Sequence, residues 1–180
     1  DLDSDEAIIK LADAIFDASR ASVDDPVQAW DDHNKKLRLK TNWLNEKNSE
    51  ALQYNGPNTD LRIGLADQHE WMGGASKAQN GIICNPNIPS EEVFTTPHAY
   101  KVDGTVSSTK PLSYQGTLIE DIRVTFKEGK IIEAQASKGE EVLKKVLQSD
   151  EGASRIGEVA LVPHSSPISK SGITFYNTLF

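Results

Sequence analysis

Apolar residues recur at helical spacing over roughly the first quarter of the chain and at alternating spacing over much of the rest, which predicts helices followed by strands. Ile8, Leu11, Ala12, Ile15 and Ala18 share one helical face, and Asp3 with Glu6 is an acidic start signal ahead of them. A helix over about 4–21 is predicted. Asp25-Pro26 supplies a second start, with Asp as N-cap and Pro at the first helical position, and Val27, Trp30, Leu37 and Leu44 follow at helical intervals. This helix is expected to reach about Glu46.

Asn55-Gly-Pro-Asn-Thr59 reads as a turn, and Leu61, Ile63 and Leu65 alternate after it as a strand does. Residues 73–81 are a polar connection, and Asn85-Pro-Asn-Ile-Pro89 is a second turn delivering the chain into a strand over 91–96. Further strands are predicted over 99–106, 113–118 and 159–162, with a short helix over 140–148. Ile122–Phe126 and Ile131–Ala136 flank Lys127-Glu-Gly-Lys130 as a hairpin, and Ile173–Phe180 reads as an apolar strand. The class is α+β, with N-terminal helices (4–47) packed on a mostly antiparallel or mixed β-sheet (51–180) in one domain. The chain starts without Met and stops on an apolar run, so it is expected to be an excised segment of a longer protein.

Charge narrows the partners. The formal net charge is −8, with 19 Lys and Arg scattered along the chain, a pattern that disfavours nucleic acid. No apolar run approaches the ~20 residues that cross a bilayer. Cys84 has no partner within the chain, which excludes an internal disulfide. A buried structural thiol and a cytoplasmic setting are therefore expected.

The sequence contains no HExxH, GxSxG, Walker A or GxGxxG motif. His33, His69, His98 and His164 are widely spaced and show no paired-ligand pattern. The carboxylates are the stronger lead. In Pro89-Ser-Glu-Glu-Val-Phe-Thr-Thr-Pro97, two acids open an apolar strand between prolines, and strand alternation sends Glu91 and Glu92 to opposite faces. Glu158 opens another apolar strand in Arg155-Ile-Gly-Glu-Val-Ala-Leu-Val162. An acid in such a place is solvated, paired (Glu158 with Arg155, for example) or metal-bound.

Ile88–Pro97 and Glu151–Val162 also carry a family resemblance. Together with Asp24–Trp30, Gly56–Leu61, Trp71–Gly74 and Gly172–Phe180, in that order, they resemble the thermophilic aminopeptidases along essentially the whole chain. The resemblance implies a peptide-cleaving enzyme that removes N-terminal residues. Its expected cofactors are two divalent metal ions (Zn, Co, Mn or Mg), held by two glutamates, two histidines, an aspartate and a nearby tyrosine. By motif position Glu92 and Glu158 are the two glutamates, with Glu91 as the alternative to Glu92. The remaining ligands lie, in the family, beyond the stretch matching Gly172–Phe180, and another α/β region precedes the stretch matching Asp1. The chain is thus expected to be an incomplete part of the catalytic unit of a larger two-domain enzyme, inactive alone and dimeric in its parent. Two other readings stand beside this one: a non-enzymatic scaffold or protein-binding domain, and a metal-free hydrolase using two carboxylates as acid and base.

Overall fold

Asp3 accepts hydrogen bonds from the backbone amides of Asp5 and Glu6, starting the first helix, α1 (Ser4–Ala18). The structure, a computed structural model, describes residues 3–177. Helix α1 stops short of its predicted end, and Arg20 beyond it is left-handed at φ 56°. Asp25 caps α2 (Pro26–Lys47) through the Gln28 amide, and Asn48, left-handed at φ 44°, ends it.

Strands β1 (Ala51–Gly56) and β2 (Thr59–Leu65) form a hairpin around Pro57-Asn58. Two-residue strand β3 (Ser76–Lys77), inside the predicted polar connection, pairs with β4 (Ile83–Cys84), just beyond it. Then come β5 (Val93–Thr95) and the long β6 (Pro97–Ser107). Where one strand was predicted over 113–118, the chain instead makes a hairpin of β7 (Leu112–Tyr114) and β8 (Thr117–Ile119). Its turn residues Gln115 and Gly116 both have positive φ, the geometry of a two-residue hairpin. The predicted hairpin at 122–136 is present as β9 (Arg123–Lys127) and β10 (Lys130–Gln135). The remaining elements are α3 (Glu140–Leu147), β11 (Val159–Leu161) and the short α4 (Pro167–Ser171). The predicted terminal strand does not form over 173–177, and its last three positions lie outside the described residues.

The main sheet is antiparallel throughout, in the order β1-β2-β6-β9-β10. The class is α+β, as predicted. Alternation along β2 turns Leu61, Ile63 and Leu65 inward, where they meet Val102 of β6, Phe126 of β9 and Leu37 of α2. Trp71, Val93 and Val159 complete this core and anchor the small β5–β11 ladder to it. Helix α1 behaves differently from its pattern. Of its predicted inner face only Ala18 is buried, while Ile8 and Leu11 stay exposed, because α1 packs on α4 rather than on the sheet. Cys84, expected inside, is exposed, since β4 belongs to a two-residue ladder outside the core.

Candidate metal centre

The sequence around Glu92 forms a strand held on both sides. On one side β5 pairs antiparallel with β11, Val159 opposite Thr95 and Leu161 opposite Val93. On the other, Met72 and Phe94 exchange backbone hydrogen bonds of 2.9 and 2.8 Å. Thr95 adds a side-chain bond of 2.8 Å to the Glu70 carbonyl. Continuing the β5–β11 register by one residue sets Glu158 opposite Thr96 and Glu92 opposite Val162. Opposed residues share a face, and Glu92 and Thr96 are an even number of positions apart, so Glu92 and Glu158 lie on one face of the ladder. Four strand residues, about 13 Å along the backbone, separate their positions. The two side chains lie within electrostatic range of each other.

Glu92 is partly buried and Glu158 is exposed. Burial, and after it the negative charge of Glu158, pushes the Glu92 carboxyl above the usual carboxylate range. Among the described residues no Lys, Arg or His forms a salt bridge with either group. Arg155, the partner open to Glu158 in the sequence, instead donates to the Ala99 carbonyl and lies 4.6 Å over the Tyr100 ring.

Glu91 turns the other way. It is buried against the helices, with Arg20 Nη1 2.6 Å and His33 Nε2 3.5 Å from its Oε1. His33 Nε2 lies 2.7 Å from the Ser90 carbonyl and so carries the proton of that bond, while Nδ1 accepts from Arg20 Nη2 at 3.1 Å. Burial holds this imidazole below its usual range. The other histidines have local partners: His69 with the Ala66 carbonyl, His98 with the Tyr100 amide, His164 with Ser169 Oγ. Among the described residues no three His, Cys, Asp or Glu side chains gather into a metal-sized group.

The donor set therefore fits a metal in part. Two carboxylates on one face, one of them partly buried and neither salt-bridged among the described residues, offer hard oxygen donors whose mutual repulsion a divalent ion would relieve. The roles of Arg20 and His33 around this strand were not readable from the sequence, because each contact joins elements distant along the chain. The one local signal was a pair of adjacent acids, which requires one of them to face inward and find a counter-charge.

Comparison with known proteins gives this geometry a family. The model for thermophilic metalloprotease (M29) matches residues 1–180. Aminopeptidase T of Thermus aquaticus is 51% identical over 179 residues, which is 99% of this chain and 44% of that protein. Aminopeptidase 2 of Geobacillus stearothermophilus is 49% identical over 180 residues, 100% of this chain and 44% of that protein. The solved structure of wild-type AmpT from Thermus thermophilus matches with a TM-score of 0.91 at 48% identity, covering 99% of this chain and 43% of that one. The chain thus spans less than half the length of these relatives, and over its own full length it belongs to the thermophilic metalloprotease (M29) family.

Proposed function

We propose that the protein containing this chain is a metal-dependent aminopeptidase that releases N-terminal residues from peptides, and that Glu92 and Glu158 are two of the ligands of its metal pair. The observation that carries the reading is that Glu92 and Glu158 share one face of a strand ladder while, among the described residues, no basic side chain forms a salt bridge with either. Carboxylate oxygens suit Zn, Co, Mn or Mg, and a bound pair supplies Lewis-acid activation of water and of the scissile carbonyl. Both side chains stand on the face of the ladder away from the core. The chain on its own is an incomplete part of the catalytic unit, because two carboxylates do not fill the coordination of two metals. A homodimeric full-length enzyme acting on cytoplasmic peptides belongs to the same reading.

The test is made on the full-length protein. Stripping metal with a chelator is expected to abolish hydrolysis of an aminoacyl-nitroanilide, and adding back Zn or Co to restore it. Glu92→Gln and Glu158→Gln are each expected to weaken binding of the added metal by more than about 100-fold, exceeding the roughly 10–100-fold usual for groups outside the ligand set. Activity that survives chelation, with metal affinity unchanged in both variants, would overturn the proposal and favour a non-enzymatic scaffold.

A further inference from the structure

Residues 90 and 91, immediately before Glu92, are held from the helix side by His33 and Arg20. His33 donates to the Ser90 carbonyl at 2.7 Å and accepts from Arg20 at 3.1 Å. Arg20 in turn faces Glu91 at 2.6 Å. The guanidinium lies off the line of a directed N–H bond, so Glu91 Oε1 is neutralised by ionic contact while receiving no aligned hydrogen bond. Arg20 has little freedom to adjust. Its guanidinium lies 5.0 Å over the Trp30 ring, and Trp30 Nε1 donates to the Ser19 carbonyl at 2.9 Å. Side-chain exposures of 15% for Arg20, 11% for His33 and 6% for Glu91 place the whole cluster out of bulk water.

A buried ion pair is a poor way to stabilise a fold, since apolar side chains of similar volume serve as well or better. What it supplies is direction. Glu91 and Glu92 alternate across one extended backbone, so holding the first carboxylate in place sets the rotation of the peptide that carries the second. We propose that Arg20 and His33 are positioning residues for Glu92, acting through Ser90 and Glu91 to hold its carboxylate toward the Glu158 side of the ladder. This rests on the reading of Glu92 as a metal ligand. Polar groups that orient a ligand from outside the coordination shell commonly change metal affinity by about 10–100-fold when removed.

The experiment uses the full-length protein, stripped of metal and titrated with Zn or Co alone, alongside urea midpoints and separate kcat and KM values. The double variant Arg20→Leu/Glu91→Leu removes both charges together. It is expected to keep a urea midpoint near that of the parent, to bind metal about tenfold or more weakly, and to lose kcat with little change in KM. His33→Leu is expected to weaken metal binding comparably. His33→Gln, whose amide can both donate to Ser90 and accept from Arg20, is expected to restore affinity to within about twofold. The His33 pair keeps the test decisive if the double variant does not fold. Metal affinity unchanged in His33→Leu, or equal loss in His33→Gln and His33→Leu, overturns the inference. Glu92→Gln run in parallel separates the two levels: if it too leaves affinity unchanged, the ligand reading has failed, and if it alone weakens binding, only the positioning role has.

Discussion

Gly73 passes so close to Glu92 that a Cβ on the glycine would lie 2.6 Å from the Glu92 carbonyl oxygen and 3.2 Å from the Val93 Cα. The approach follows from the Met72–Phe94 bridge, which draws the chain after Trp71 alongside β5. Gly73 has no positive φ, so a substitution there is opposed by contact alone. Gly73→Ala is predicted to destabilise by about 1–3 kcal/mol, as overpacking does. It is also predicted to displace the Glu92 peptide and weaken metal binding. Urea midpoint and metal titration of the same variant check the two parts, and unchanged values in both would contradict this account of the contact.

Asn45 fastens α2 to the same segment. Its Oδ1 accepts from the Trp71 amide at 2.8 Å and its Nδ2 donates to the Trp71 carbonyl at 3.1 Å, beside an indole only 2% exposed. Asn45→Leu strands both backbone groups, and at about 1–3 kcal/mol for each unsatisfied group the predicted loss is about 2–6 kcal/mol. A shift in the urea midpoint measures it.

Leu37 enters the core from α2, at 1% exposed, whereas Leu39 on the same helix is 70% exposed. Leu37→Ala is predicted to cost about 2–5 kcal/mol through lost burial and the cavity it leaves. Leu39→Ala is predicted to stay within about 0.5 kcal/mol of the parent. Similar losses in the two variants would mean that α2 does not sit on the sheet as described.

His33 makes stability depend on pH. Burial is the largest influence on it and lowers its affinity for protons; Arg20 and Lys36 act in the same direction, while Glu91 and the Ser90 carbonyl oppose them. Because the folded state binds this proton less readily than the unfolded chain, the contribution is fully present above the ordinary histidine pKa of about 6.5 and is lost as pH falls through the depressed folded value. Urea midpoints are predicted to fall below neutral pH in the parent, and His33→Gln to show a shallower fall. Parallel pH profiles in the two proteins would remove His33 as the source.

Where a structural feature depends on neighbouring residues, it was legible. Asp3 and Asp25-Pro26 mark helix starts because a capping side chain reaches amides two or three positions away. The hairpin at 122–136 was legible for the same reason. The β7–β8 hairpin was missed although Gly116 marked its turn, because the apolar residues on either side read as one continuous strand. Helix α1 shows the opposite limit: its apolar stripe was read correctly as a pattern, but a pattern does not say what covers it, and Ile8 and Leu11 are exposed.

At the candidate site, the amino-acid order alone determined that Glu91 and Glu92 face opposite ways, since successive strand side chains must alternate. The long motif matches identified the family and pointed to Glu92 and Glu158. Only the tertiary structure decided which of the adjacent acids is buried against Arg20 and which shares a face with Glu158. That choice depends on β11 pairing with β5 and on α2 packing behind it, contacts between segments far apart in the chain that no local spacing encodes.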